Sequence, residues 1–255
     1  MTRTVIFNAD DFGASEGINR GIVRCHTDGV LTSTSLMVDG PGAQGAAALA
    51  RVHPELAVGL HWDLDGRRNA PVDLEDPAAV RRELERQLAL AQRQLGRLPT
   101  HLDSHHHVHR QPEVEPLARE IAQRTGLPLR GTSPVRYIGG FYAQWEPGID
   151  DLQYVSVRAL TAILTDDLVT EWTEIGCHPG FVDDDFHSAY REGREAELAT
   201  LTDPPSPLRS RRWASAWRAS RRSSADAGRP CRRAARPPTR APKAARDGPA
   251  GVPAR

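Results

Sequence analysis

Residues 1–203 alternate between short runs of β-branched and aromatic residues and longer stretches whose apolar residues recur at helical spacing. Strands are predicted at residues 4–9, 31–38, 56–64, 127–130 and 172–178. Helices are predicted from Ser15, over Ala46–Arg51, from Pro77 to a terminating Gly96, over Val114–Arg124 and over Val157–Leu168. Repeated strand–helix units imply parallel strands, so the predicted fold class is α/β, with either an open doubly wound sheet or a barrel.

The remaining residues, 204–255, have a different composition. They carry 14 basic residues against two acidic ones, a net charge of +12, whereas residues 1–203 carry 19 basic and 31 acidic residues, a net charge of −12. Leu208 and Val252 are the only branched aliphatic residues of this tail, so burial of apolar surface cannot offset the entropy cost of ordering it. We expect one folded domain over residues 1–203 and a disordered tail.

Two interpretations of the tail are open. An arginine-rich arm could bind nucleic acid or another acidic surface, because arginine attracts phosphate without needing a fold. Arg, Ala, Pro and Ser are also typical of GC-rich coding DNA read in the wrong frame, and the change after "REAELATLTDP" is abrupt. A frameshift is the favoured hypothesis, so no specific nucleic-acid partner is predicted.

Several classes of protein are disfavoured by the sequence. The three cysteines, Cys25, Cys177 and Cys231, are widely spaced and odd in number, which argues against a disulfide framework and a CxxC metal site. No apolar run is long enough for a signal peptide or a membrane span, so a cytoplasmic protein is expected. No glycine-rich phosphate-binding motif opens a predicted helix, which leaves nucleotide binding unsupported.

Polar side chains collect where the predicted strands end. The main ones are Asp10, Asp11, His61, the stretch "HLDSHHHVH" over residues 101–109, and His178. The carboxyl ends of parallel strands meet at the edge where α/β folds place their chemistry. Imidazole and carboxylate groups together favour divalent ions such as Zn²⁺ and Mn²⁺. The sequence therefore predicts a metal site at this edge.

The stretch "HLDSHHHVH" contains five of the ten histidines. Side chains of an extended strand alternate between its two faces. If the strand persists through His105, then His106 points to the opposite face. One face of a fully extended stretch would carry His101, Asp103, His105, His107 and His109.

Each cluster also has an explanation that involves no chemistry. Asp10 and Asp11 could cap the helix that follows, and His61 alone could be a satisfied core histidine. The histidine run could be a solvated loop, and Glu171 and Glu174 fit a solvated face. Independent clusters at several strand ends favour the metal site over these separate explanations.

Four segments, "NADDFG", "GLHWDL", "HLDSHHHVH" and "CHPGF", resemble in order and spacing the hallmark segments of the YdjC-like carbohydrate deacetylases. The resemblance covers residues 3 to about 203. It implies a distorted, TIM-like (β/α) barrel that removes acetyl groups from N-acetylglucosamine units of chitooligosaccharides, with a role in chitin degradation. It also implies one divalent metal ion, Mg²⁺ or Zn²⁺, held by Asp11, His61 and His105.

Amide hydrolysis requires a base for the attacking water and an acid for the leaving amine. Asp10 is the candidate base, since it adjoins Asp11 and neighbouring strand residues point apart. His178 is the candidate acid, because the ordinary imidazole pKa of about 6.5 suits donation near neutrality. Asp103 is expected to accept the second ring N–H of a ligand histidine. Arg130 is an alternative orienting residue, and Glu174 is assigned to the same supporting shell.

We expect this chain to depart from the family pattern at its C-terminal end. Relatives continue with a further strand and helix, where this chain has the arginine-rich tail. We therefore expect a barrel that is incomplete at its C-terminus, whose exposed edge favours aggregation or a homodimer. Two other functions stay open: hydrolysis of a different N-acetylated sugar or lipid-linked headgroup, and metal or sugar binding without activity.

Overall fold

The computed structural model describes residues 4–66, 71–132, 134–144, 149, 151–167, 171–183 and 188–203. The strands are β1 (Thr4–Phe12), β2 (Ser33–Leu36), β3 (Ala57–Trp62), β4 (Leu102–Ser104), β5 (Arg136–Ile138) and β6 (Trp172–Cys177). The α-helices are α1 (Glu16–Thr27), α2 (Ala43–Val52), α3 (Pro77–Leu95), α4 (Glu115–Thr125), α5 (Val157–Ala162) and α6 (Glu192–Thr202). The tail at 204–255 lies outside the described residues, so the predicted domain division stays a prediction.

The six strands are parallel and lie in the order β4-β3-β2-β1-β6-β5. This order places β1 in the middle and β4 and β5 at the two ends. One segment connects the two ends, because Leu129 forms a bridge with Leu102 of β4 and the chain then continues into β5 beside β6. The sheet is therefore curled, and the predicted distorted (β/α) barrel is confirmed.

The two faces of β1 have different surroundings. Val5, Phe7 and Ala9 belong to the main apolar core, which also contains Ile18 and Ile22 of α1. The alternate residues face the interior of the curl. Ile6 packs there with Ala57 and Val135, whereas Asn8 and Asp10 bond to polar side chains. The barrel interior is thus apolar at the amino ends of the strands and polar toward their carboxyl ends.

Helix ends follow the local sequence signals. The Ser15 side chain accepts a hydrogen bond from the Ile18 N–H at 3.1 Å and caps α1, so Asp10 and Asp11 do not serve as its N-cap. Gly96 ends α3 with φ of +67°, the left-handed conformation that glycine adopts without strain. The helices of the described segments are too short or too polar to cross a lipid bilayer.

Four elements differ from the sequence prediction. Residues 127–130 form only the bridge at Leu129, since Pro128 lacks the N–H that a ladder needs. The helix predicted to reach Leu168 ends as α5 at Ala162 and continues as a wider turn over Ile163–Asp167, and Leu168 lies outside the described residues. The three-residue strand β5 and helix α6 were not predicted. The buried positions of α6 include polar residues, so its apolar pattern is weak: Gly193, Arg194, Glu197, Leu198, Thr200 and Leu201.

Candidate active site

The carboxyl end of β1 is irregular. Its register with β2 shifts between Ala9 and Phe12, and Asp11 has φ of +69°. A non-glycine residue seldom adopts this conformation, which marks a site held by its surroundings. As a result, the two neighbouring carboxylates have different partners. Asp10 bonds to Arg130 inside the barrel, and Asp11 faces two histidines, His61 of β3 and His105 just after β4.

Asp11, His61 and His105 come together as the family resemblance implies. Each offers one ligand atom, and these atoms lie within 4.8 Å of one another. Asp11 Oδ1 is 3.5 Å from His61 Nε2 and 3.3 Å from His105 Nδ1. Oδ1 is buried but makes no well-formed hydrogen bond with any described residue. A buried oxygen without such a partner, facing two imidazoles, fits a cation site.

Asp103 lies behind His61. Its Oδ1 is 2.7 Å from His61 Nδ1, the ring nitrogen that faces away from Asp11. This is the arrangement in which a carboxylate orients a metal-binding imidazole. Burial disfavours a charged ring, but the Asp103 and Asp10 carboxylates outweigh it and raise the pKa of His61 well above its ordinary value. A proton would therefore compete with any cation for this ring.

Two other groups of side chains have metal-ligand spacing. The first is Asp10 with His61 and Asp103, but both carboxylates already contact the Arg130 guanidinium. The second is Asp65 with His105 and His106, at the surface. Asp65 and His106 contact each other directly there. The group around Asp11 is therefore the best candidate metal site among the described residues.

The histidine stretch is extended only at its start. β4 ends at Ser104, and a 3₁₀ turn covers His105–Arg110, with φ of 49° at His106 and 55° at His107. The stretch therefore does not present one continuous polar face to residue 109, because the chain turns back after Ser104. His109 is buried away from the Asp11 group, with Nδ1 2.6 Å from Ser104 Oγ and Nε2 3.1 Å from the Arg130 carbonyl oxygen.

Arg130 occupies the barrel interior with its side chain fully buried. Its guanidinium lies within 2.7 to 2.9 Å of three carboxylates, those of Asp10, Asp103 and Glu174. Glu174 is only 1% exposed, so its interpretation as a solvated face is wrong, whereas Glu171 is exposed. The Arg130 guanidinium is thus the shared cation of three buried carboxylates, which lie on β1, β4 and β6.

Because one guanidinium cannot neutralise three carboxylates, one carboxyl group retains its proton more readily. Burial, opposed by Arg130 and assisted by Asp103, raises the pKa of Glu174 to about 7. The pKa of Asp10 stays well below its ordinary range, because Arg130 and His61 overcome the effect of burial.

Because the pKa of Glu174 is raised, we expect the stability of the protein to depend on pH. The native carboxyl group binds a proton up to about pH 7, whereas an unfolded Glu releases it near pH 4.3, so the protein loses stability as the pH rises from about 4.3 to about 7. We expect Glu174→Gln to become more stable relative to the wild type as pH rises from 5 to 8, by about 3 kcal/mol at most. Thermal melting of both proteins at pH 5 and pH 8 measures this. A difference that stays constant with pH would contradict the assignment.

His178 follows β6 and lines the same opening. Its Nε2 lies 3.8 Å from Asp10 Oδ2, and its backbone N–H donates to Glu197 of α6. Burial lowers the pKa of His178 to about 4, although Asp10 and Asp11 oppose this effect. The ordinary imidazole pKa expected from the sequence is therefore wrong for this environment, and His178 is neutral at pH 7.

A cavity of about 350 Å³ joins these groups. This volume is within the range of small-molecule sites. The residues that sequence reasoning missed come from the segments beyond the four motifs. They are Tyr137, Tyr142, Tyr190 and Arg194. His107, from the histidine stretch, also lines the cavity. Tyr142 stacks on Tyr190 with ring centroids 4.5 Å apart and lies 5.2 Å from the His178 ring.

The parallel strand order and the titratable side chains at the strand ends define an α/β-barrel enzyme. The sequence model of the YdjC-like protein family matches residues 4–207. The chain belongs to this family.

Curated relatives and a solved structure agree with the family assignment. The chain is 36% identical to a chitooligosaccharide deacetylase of Serratia marcescens, over 80% of this chain and 92% of that protein. It is 37% identical to a carbohydrate deacetylase of Geobacillus stearothermophilus, over 80% of this chain and 91% of that protein. A crystal structure from Enterococcus faecalis V583, of a protein named for cellobiose-phosphate cleavage, superposes with a TM-score of 0.67. Its sequence identity is 25%, over 82% of this chain and 93% of that one.

Proposed function

We propose that this chain is a divalent-metal-dependent carbohydrate N-deacetylase that releases acetate from N-acetylglucosamine units of short chitooligosaccharides. The observation that carries the proposal is the convergence of Asp11, His61 and His105 around a buried, unsatisfied carboxylate oxygen at the cavity. The names of the curated relatives support the reaction and the substrate class.

The ion would be held by Asp11, His61 and His105. One anionic and two neutral ligands suit Zn²⁺, Mg²⁺ and similar ions, and Asp103 supports the set by orienting His61. When bound, a divalent ion supplies Lewis acidity, which polarises an acetamide carbonyl and lowers the pKa of a water nucleophile.

Asp10 is the proposed base for the attacking water. Its carboxylate borders the cavity beside Asp11, and Arg130 fixes it with two hydrogen bonds of 2.7 and 2.8 Å. The low pKa of Asp10 keeps it ionised and ready to accept a proton, but it also makes the carboxylate a weak base. Transfer to Asp10 therefore requires a water whose own pKa is lowered in the site.

His178 is the proposed acid for the leaving amine. With its pKa lowered to about 4, the ring is neutral at pH 7 before the reaction and lacks the second proton that a general acid would donate. It must therefore gain a proton during turnover, and Asp10 Oδ2 at 3.8 Å from Nε2 is the neighbouring source. Asp10 and His178 would act in sequence, the first accepting the proton of water and the second delivering it to nitrogen.

Acetate release from N-acetylated chitooligosaccharides tests the proposal. The full chain is stripped with chelator, and Mg²⁺, Zn²⁺ or Co²⁺ is then restored separately. We expect activity to disappear on stripping and to return with at least one ion, and Asp11→Asn to stay inactive under all conditions. Full activity after stripping would disprove metal dependence. Sugar binding without acetate release would identify a binding protein, and release only from other N-acetylated sugars would reassign the substrate.

A further inference from the structure

Arg194 reaches the candidate metal site from the last described helix. It lies in the first turn of α6, 183 residues from Asp11 in sequence, and its Nη2 donates to Asp11 Oδ2 at 2.5 Å. The two side chains are 5% and 4% exposed. A buried, charge-assisted hydrogen bond of this kind is strong and directional. Arg194 therefore fixes one of the two oxygens of the Asp11 carboxylate.

The guanidinium is itself held in place. Its Nη1 donates to the His178 carbonyl oxygen at 3.2 Å, and the Arg194 carbonyl oxygen accepts from the Gly180 N–H at 3.3 Å. Glu197, one turn further along α6, accepts from the His178 N–H. These contacts join α6 to the end of β6, so Arg194 cannot turn away from Asp11 without disturbing His178.

The other Asp11 oxygen has the opposite environment. Oδ1 faces His61 and His105 and makes no well-formed hydrogen bond with any described residue. A carboxylate can bind a cation through one oxygen or through both. We propose that Arg194 restricts Asp11 to binding the divalent ion through Oδ1 alone. This inference rests on the proposed function, since it concerns the ion that the site would hold.

A single-oxygen contact has two consequences for the ion. It would leave one more coordination position for water or substrate, which distinguishes a catalytic site from a closed structural one. The positive charge of Arg194 also offsets the negative charge of Asp11, so an ion held there would keep more of its Lewis acidity. Arg194 acts through Asp11 and is a positioning residue.

Co²⁺ binding tests this role independently of turnover, because the visible absorption of Co²⁺ weakens as its coordination number rises. The variant Arg194→Met removes the charge and keeps the apolar length of the side chain. It frees Oδ2 and removes a nearby cation, so we expect Co²⁺ to bind at least about tenfold more tightly. We also expect weaker visible absorption than in the wild type. Arg194→Lys, which keeps a cationic donor, should give a spectrum close to that of the wild type.

Arg191→Met is the matched control, since Arg191 is an exposed arginine at the start of the same helix. It should leave Co²⁺ affinity and spectrum unchanged. If Arg194→Met does not fold, Arg194→Gln provides the same comparison. Unchanged affinity and absorption in a folded variant, or loss of Co²⁺ binding, would overturn the inference. Absence of Co²⁺ binding in the wild type would instead overturn the proposed function, so the two failures are distinguishable.

Discussion

His105→Ala is expected to abolish both retention of the divalent ion and acetate release, whereas His106→Ala is expected to preserve both. His105 Nδ1 is 3.3 Å from the unsatisfied Oδ1 of Asp11, and the loss of one of the three proposed ligands would leave an ion incompletely held. The His106 side chain is 54% exposed and contacts Asp65 at the surface. Metal content after dialysis against chelator-free buffer, measured together with acetate release, checks both variants.

The opposite outcome has a specific meaning. Asp65, His105 and His106 form the alternative surface group with metal-ligand spacing. Loss of the ion from His106→Ala, with retention in Asp11→Asn, would place the metal in that surface group. The comparison is informative because the two histidines are adjacent in sequence and their ring centroids are only 3.9 Å apart.

Arg130→Met is expected to produce the largest loss of stability. Methionine keeps much of the apolar length but leaves Asp10, Asp103 and Glu174 buried without their shared cation. Removing one partner of a buried ion pair costs about 3 to 5 kcal/mol, a large part of the stability of an ordinary domain. We expect a partly unfolded or low-melting protein at pH 8. The variant is expected to regain some stability at pH 5, where Glu174 is protonated.

Arg81→Met is a suitable control for this experiment. Arg81 also makes two hydrogen bonds to one carboxylate, that of Glu120, but both side chains are at the surface. Ion pairs at the surface contribute little to the free energy of unfolding. The control variant should therefore melt at a temperature close to that of the wild type. Melting of Arg130→Met at the same temperature as this control would show that the buried charges are solvated or neutralised in another way.

The parts of the site that lie in strands could be predicted from sequence. Asp11, His61 and His105 stand at or just beyond the ends of apolar runs, and parallel strands bring such ends to one edge. Asp103 was expected to accept a hydrogen bond from the ring N–H of a candidate ligand histidine, and its Oδ1 lies 2.7 Å from His61 Nδ1. The positions of the strand ends could be predicted because the periodicity of apolar residues in a strand depends on local sequence alone.

Other features depend on contacts that local sequence does not record. Arg194 and Glu197 lie on a helix whose buried face is partly polar, and Arg194 meets Asp11 only after the whole sheet has formed. The turn after Ser104 interrupts the alternation on which the histidine prediction relied. The low pKa of His178 results from burial, which is a property of the folded chain.

The central position of β1 affects how the chain can fold as it is made. β1 is synthesised before the other described strands, but one of its two neighbours is β6, and Ala9 pairs with Cys177. At ribosomal rates of about 5 to 20 residues per second, this partner emerges roughly ten seconds or more after β1. During that interval β1 has an unpaired edge, a template for wrong pairing with other chains. Nascent chains should therefore depend on chaperones until β6 has been synthesised.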